Sequence, residues 1–277
     1  MPADPFHVAL YYNDLVAQET TISGITTAHM GIRQSHIMAG IHSPTEHPFL
    51  KAAFEGAKRL TAKNTSRNKK EPMTTDTLKL ITDAYKDTEN LLEIRFVVTC
   101  LISFSGFLRS DDLRVVQMKH ITFHSDHMTI LLPKAKNDQL RQSELVYVAR
   151  LNSTSCPVRW IERYVRLAQL KDDDFLITPL RKTKGGHSAD GRKALSYSRL
   201  RDDFYEHLNP VLGRPKRQPG EISLHSLRSG GASEAAAQNT SDRLIRKHGR
   251  WRADATRDIY IKDTKRNRLQ VTRNLGL

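Results

Sequence analysis

A chain of 277 residues with a 38% hydrophobic fraction can fill one large domain or two ordinary packed cores. Its net charge of +14, from 44 Lys and Arg against 30 Asp and Glu, favours a polyanionic partner, DNA or RNA. A membrane span is excluded because no run of eighteen apolar residues occurs.

MPADPFHVAL lacks the basic and apolar regions of a signal peptide. The cysteines, Cys100 and Cys156, fall in no metal spacing, and the 12 histidines form no HExxH or Cys/His cluster, so no zinc is expected. Cys100 stands in an apolar run and reads as a buried thiol, which suits a reducing compartment, the nucleus or the cytosol.

Residues 1–63 read as helices. FHVALYYNDLVAQ and ISGITTAHMGIRQSHIMAGI carry apolar residues at helical spacing, and PFLKAAFEGAKRLTA follows a Pro start. Arg33, His36, Lys51, Lys58 and Arg59 are candidate phosphate contacts; exposed charge on an amphipathic helix explains any one of them nearly as well. Residues 64–73, within NTSRNKKEPMT, are polar and basic without apolar periodicity and read as an interdomain linker.

From Thr74 the pattern changes to a larger mixed domain, 74–277. TTDTLKLITDAY has a capped helical start, and NLLEIRFVVTCLISF predicts a longer, mostly buried helix. Alternating β-branched and aromatic runs around polar turns predict three strands between about 119 and 149. Helices are expected near 157–169 and 197–210, with RKTKGGHSADGRK between them as a mobile, Gly- and Lys-rich loop. The fold class is therefore α+β: mainly α with a small antiparallel sheet.

The last sixty residues concentrate the chemistry. His225 and Arg228 stand three apart in LHSLRSGG, so a helix turns both to one face. A guanidinium fork suits phosphate oxygens, and His is readily poised to move a proton near neutral pH. Trp251 follows in HGRW, and Tyr260, nine residues later in ATRDIYI, offers an oxygen nucleophile that needs a base. Taken singly, Tyr260 reads as an ordinary interface tyrosine, Trp251 as a core anchor, and His225 with Arg228 as a structural network. Their order and spacing favour phosphoryl transfer through the protein.

The stretch Leu224–Tyr260 resembles box II of the tyrosine recombinases, the phage-integrase family. Trp251 stands where most members carry His, a trait of the subgroup with Cre recombinase and eukaryotic transposon recombinases of the DIRS, Ngaro and crypton kind. His248 lies twelve residues before Tyr260, against a family spacing of nine. CLISFSGFLRSDDL resembles box I, which makes Arg109 the first arginine and Asp112 its acidic partner; capping a helix is the plainer role for Asp112. The family's hairpin lysine falls on Lys136 in PKAKNDQ, with Lys134 as alternative.

The resemblance implies a C-shaped clamp in which residues 1–63 grip the far side of double-stranded DNA. It implies site-specific recombination of a mobile element through a 3′-phosphotyrosyl intermediate, without metal or cofactor. The catalytic set would be Arg109, Lys136, His225, Arg228, Trp251 and Tyr260, supported by Asp112. It further implies dimers on a site and tetramers in synapsis, coupled through tail residues 261–277; a tail folded onto its own domain is the simpler reading. A type IB topoisomerase and a DNA-binding regulator without catalysis are the alternatives.

Overall fold

Short polar side chains start most of the helices. In the computed structural model, which describes residues 2–64, 70–133, 144–216, 220–263 and 265–275, the Asp4 carboxylate accepts the N–H groups of Phe6 and His7 at the head of α1 (Pro5–Ala17). Thr21 caps α2 (Ile22–Met38) through the Gly24 N–H, and α3 (Pro48–Asn64) begins on a proline whose missing N–H would have been orphaned there anyway. The chain divides into two compact units, Met1–Lys69 and Lys70–Leu277. The first is built on Val8, Tyr12, Ile25, Leu50 and Ala57, with the Tyr12 hydroxyl 2.8 Å from His29 Nδ1 and His29 stacked 3.9 Å from Phe54.

The second unit takes up the chain at Lys70. The Glu71 and Met73 N–H groups donate to the carbonyls of Glu221 and Ser226, at 2.8 and 2.9 Å, and the Met73 side chain is buried. This half of the polar segment is thus part of a core. Next come α4 (Thr75–Ala84) and α5 (Leu91–Ser105), capped by Thr74 and Asn90. Apolar residues on nearly every side of α5, among them Ile94, Val97, Val98, Leu101 and Ile102, are buried, so it forms the axis of the unit. Each such side chain contributes about 1.5–3 kcal/mol of burial. Arg95 is the charged residue among those buried on this helix; it donates to Asp203 at 2.5 Å and to the Thr178 carbonyl at 2.6 Å. Removing Asp203 would strand the Arg95 charge, whereas Asp203 also pairs with Arg199 at 2.9 Å.

After α6 (Ser110–Arg114), strands β1 (Ile121–Phe123), β2 (His127–Leu132) and β3 (Glu144–Ala149) form an antiparallel sheet in that order. Met128, Ile130 and Leu132 face the core opposite Val146 and Val148, while Thr129 pairs with Tyr147 on the outer face. The two-residue period of a half-buried strand requires this alternation. Then follow α7 (Pro157–Ala168), β4 (Leu180–Thr183), β5 (Gly186–Ala189) and α8 (Tyr197–Val211). Strands β4 and β5 correct the expectation of a mobile loop at 181–193. They pair in register from Leu180–Ala189 to Thr183–Gly186, and Gly186 takes φ +131, a backbone conformation that residues with a Cβ rarely adopt.

The chain closes with α9 (Leu224–Ala237), α10 (Asp242–Gly249), α11 (Asp254–Asp258) and α12 (Lys265–Arg273). Two adjacent glycines set how closely α9 approaches its neighbours. A Cβ on Gly230 would lie 2.1 Å from the Met73 carbonyl, and one on Gly231 2.2 Å from that of Phe104. Among the described residues, no helix is long and apolar enough to cross a membrane.

Candidate active site

The turn that ends α5 carries the first arginine. Gly106 closes the helix and Phe107 takes a left-handed conformation, φ +48, which costs a residue with a Cβ about 1–2 kcal/mol. Arg109 follows at the head of α6, and the Asp112 carboxylate accepts the Arg109 N–H at 3.2 Å. The same carboxylate lies 3.9 Å from the Arg109 guanidinium. Asp112 therefore caps the helix and pairs with the arginine at once.

The second half of the site comes from α9 and the segment through Tyr260. Arg228 is fully enclosed. Its Nη1 donates to the Phe107 carbonyl and its Nη2 to that of Gly249, the latter at 2.5 Å. Two aromatic rings cover the guanidinium, Trp251 at 4.6 Å and Tyr260 at 5.1 Å. Such cation–π contacts are worth about 0.5–2 kcal/mol each. Burial, then the fields of Arg109 and Arg250, pull the Arg228 pKa down, although it stays a cation at neutral pH. Among the described residues, its Nε and the Trp251 indole N–H are buried donors without a hydrogen-bond partner.

One turn before Arg228, the His225 ring lies 5.1 Å from that of Tyr260. Desolvation by burial, then the charges of Arg228 and Arg109, push the His225 pKa below its ordinary value. The imidazole is thus neutral near pH 7 and able to accept a proton. Trp251 lies 5.2 Å from Tyr260 and belongs to a small cluster with Phe107, Ala232 and Ile245. A Cβ on Gly249 would fall 2.0 Å from its ring. Trp251 is thereby both a core anchor and part of the cluster around Arg228. Arg109, Asp112, His225, Arg228, Trp251 and Tyr260, drawn from both ends of the second unit's sequence, meet in one place.

Three further residues belong to this region, and motif spacing pointed to none of these roles. His248, which competed with Trp251 for the family position, bonds to the Ser105 carbonyl at 2.8 Å and holds the end of α5. Arg257 is surrounded by Asp242, Asp254 and Asp258 at 3.3, 3.3 and 2.7 Å, and its carbonyl accepts the Tyr260 N–H. It anchors the approach to Tyr260. Arg250 donates to the Gly106 carbonyl and, with Arg228, to that of Phe107. Its proximity to Trp251 in HGRW was the only available signal.

Lys134 and Lys136 lie outside the described residues, as does the rest of 134–143. The candidates in the first unit have protein partners of their own. Arg33 and Lys51 share the Glu46 carboxylate, at 3.1 and 3.0 Å. Lys58 pairs with Glu55 at 2.8 Å and covers Phe54, and His36 bridges the Ala3 N–H and the Ile32 carbonyl. Arg59 is exposed. Among the described residues, no group of three His, Cys, Asp or Glu side chains could hold a metal ion.

No protein-family model matches this sequence, and no sequence among the curated proteins matches it. Solved structures do. The Tn1549 transposon integrase, in complex with circular intermediate DNA, is similar over 98% of this chain and 85% of its own, at 10% identity and a TM-score of 0.60. XerA recombinase is similar over 99% and 84%, at 14% identity and 0.54. XerH site-specific recombinase, in a post-cleavage complex with its palindromic substrate, is similar over 76% of this chain at 16% identity and 0.53. This chain spans only 54% of the XerH chain's length. The fold is that of tyrosine recombinases and integrases.

Proposed function

We propose that this chain is a site-specific DNA recombinase that cuts and rejoins strands through a phosphotyrosyl intermediate, in the integration or recombination of a mobile element. One observation carries the reading: an enclosed guanidinium, Arg228, has a tyrosine ring 5.1 Å away and, beside that ring, a histidine whose pKa is depressed. A core built for stability alone has no need of that trio.

In the proposed step the Tyr260 hydroxyl oxygen attacks a DNA phosphorus in line. A phosphorus–oxygen bond forms to tyrosine, and the bond to the 5′-oxygen breaks. His225, neutral before the step, takes the tyrosine proton; the departing 5′-oxygen receives one from Lys136, the role the family resemblance assigns. Bond energy is retained in the 3′-phosphotyrosyl link, so the 5′-hydroxyl of another strand can reverse the step. Arg109 and Arg228 provide forks for the charge on the phosphoryl oxygens, and the Arg228 Nε and Trp251 indole N–H gain acceptors there. Without DNA the Tyr260 ring covers the guanidinium, so the ring moves aside as phosphate enters.

On this reading the first unit and the hairpin lysine grip the duplex, and Trp251 in the histidine position aligns the chain with Cre and the eukaryotic transposon enzymes. The basic tail, with Leu269 and Leu275 exposed, docks on a neighbouring copy in a tetramer. Cutting the chain after Asp263 then weakens tetramer formation on DNA in gel shifts while single-protomer binding persists; an undiminished tetramer contradicts this docking.

A suicide substrate, nicked so that the cleaved fragment diffuses away, tests the reaction. Wild type should yield DNA-linked protein on denaturing gels. Tyr260→Phe should yield none yet keep its DNA affinity, because only the nucleophile is lost. Adduct formation by Tyr260→Phe sinks the assignment. Plasmid relaxation by monomers without strand exchange would instead indicate a topoisomerase.

A further inference from the structure

Arg250 ends α10 in a left-handed conformation, φ +56, where glycine or asparagine is the ordinary occupant. Its side chain does not extend into water as a basic residue in the last turn usually does; only 4% of it is exposed. The guanidinium enters the gap between α10 and the turn after α5. Nη1 donates to the carbonyls of His248 and Gly106, at 2.9 and 3.1 Å, and Nη2 to that of Phe107 at 2.9 Å. The Asp112 carboxylate lies 3.7 Å away and that of Glu144, at the start of β3, 3.8 Å. Across the gap, Phe107 is also held left-handed, φ +48. A single cation thus joins the turn bearing Arg109, the first residue of β3 and the helix end that leads to Trp251.

We propose that Arg250 is a positioning residue that fixes the Arg109 turn against the Trp251–Tyr260 segment and shares Asp112, so that Asp112 does not capture Arg109. The inference rests on the strand-cleavage reading. Arg109 lies 3.9 Å from Asp112, looser than a direct fork-to-carboxylate pair. Without the Arg250 charge, the carboxylate is left to Arg109 alone, and the guanidinium meant for phosphate closes onto its own helix. A fork is needed because the bridge reaches three carbonyls and two carboxylates from one planar group, which a lysine ammonium does not span.

Arg250→Gly separates the side chain from its backbone, since glycine accepts φ +56 without strain. At saturating DNA, this variant should form the Tyr260-linked product on the order of 10²-fold more slowly than wild type, with DNA affinity changed less than about threefold. Arg250→Lys should recover little of that rate. Methylguanidinium, matched in ionic strength against sodium chloride, should restore part of it to the glycine variant. In the DNA-free protein, amide exchange across 106–113 should quicken on the order of tenfold in the glycine variant, with α7 unchanged.

A wild-type cleavage rate in Arg250→Gly, or unaltered exchange across 106–113, overturns the inference. If Arg250→Gly does not fold, Arg250→Lys is judged by the same two measurements. Failure of the wild type to form an adduct would sink the cleavage reading; the exchange comparison, made without DNA, would still decide the role of Arg250.

Discussion

Arg33 and Lys51 stand in water and share one carboxylate, that of Glu46, whereas Arg228 and Arg250 are enclosed and share one carbonyl, that of Phe107. Both pairs are cations; the surroundings differ. In the first pairing the charges are solvated and screened, so the net contribution is small even at 3.0–3.1 Å. In the second, water has been replaced by carbonyl dipoles and aromatic faces, so every donor must be matched or its desolvation goes uncompensated. Enclosure therefore fixes where a guanidinium points, and a transition state needs donors that are already in place.

Arg228→Lys gives the largest contrast. It should lower the cleavage rate about 10²–10³-fold, or roughly 3–4 kcal/mol, whereas Arg33→Lys should leave that rate unchanged. Equal effects in single-turnover cleavage would mean that enclosure confers nothing. Gly231→Ala addresses the packing that creates the enclosure. With its Cβ 2.2 Å from the Phe104 carbonyl, it should destabilise the second unit by about 3 kcal/mol, and lower its melting temperature by roughly 6–12 °C. An unchanged melting curve would show that α9 can retreat freely.

A smaller effect is expected from pH. Desolvation lowers the His248 pKa below its ordinary 6.5. As pH falls through that value, the unfolded chain binds a proton that the native imidazole refuses, so stability declines until the native pKa is passed. Melting temperature should drop between about pH 7.5 and 5.5, with a shallower slope in His248→Gln, which retains an N–H donor for the Ser105 carbonyl. Equal slopes would indicate that His248 titrates as it does unfolded. Last, Glu46→Ala should not measurably shift the melting temperature, but it frees Arg33 and Lys51 and should tighten DNA binding at low salt. A clear loss of stability would mean that the Glu46 pairs are not weak, screened surface contacts.

Much of this architecture was legible because it is local. The 3.6-residue recurrence of apolar positions marked α1 to α5, alternation marked β2 and β3, and the spacing of His225, Arg228, Trp251 and Tyr260 raised the question of a shared site. Less legible was the β4–β5 hairpin. Its composition, rich in Gly and Lys, reads as a loop, and its strands bury little against the core. His248 could not be assigned from spacing, since its hydrogen bond is to a carbonyl 143 residues away in sequence. Neither α10 nor α11 showed in advance that its end would present Arg250 or Arg257 to other elements.

What the amino-acid order determined by itself was periodicity, capping and charge, because helix and strand geometry act over a few residues. Only the tertiary structure decided which cations would be enclosed and which carbonyls would receive them. That outcome depends on Gly230 and Gly231 letting α9 approach Met73 and Phe104, and on two left-handed residues, Phe107 and Arg250, facing one another. Both conditions are set by backbones distant in sequence, whose close contact the chain cannot declare until it is folded.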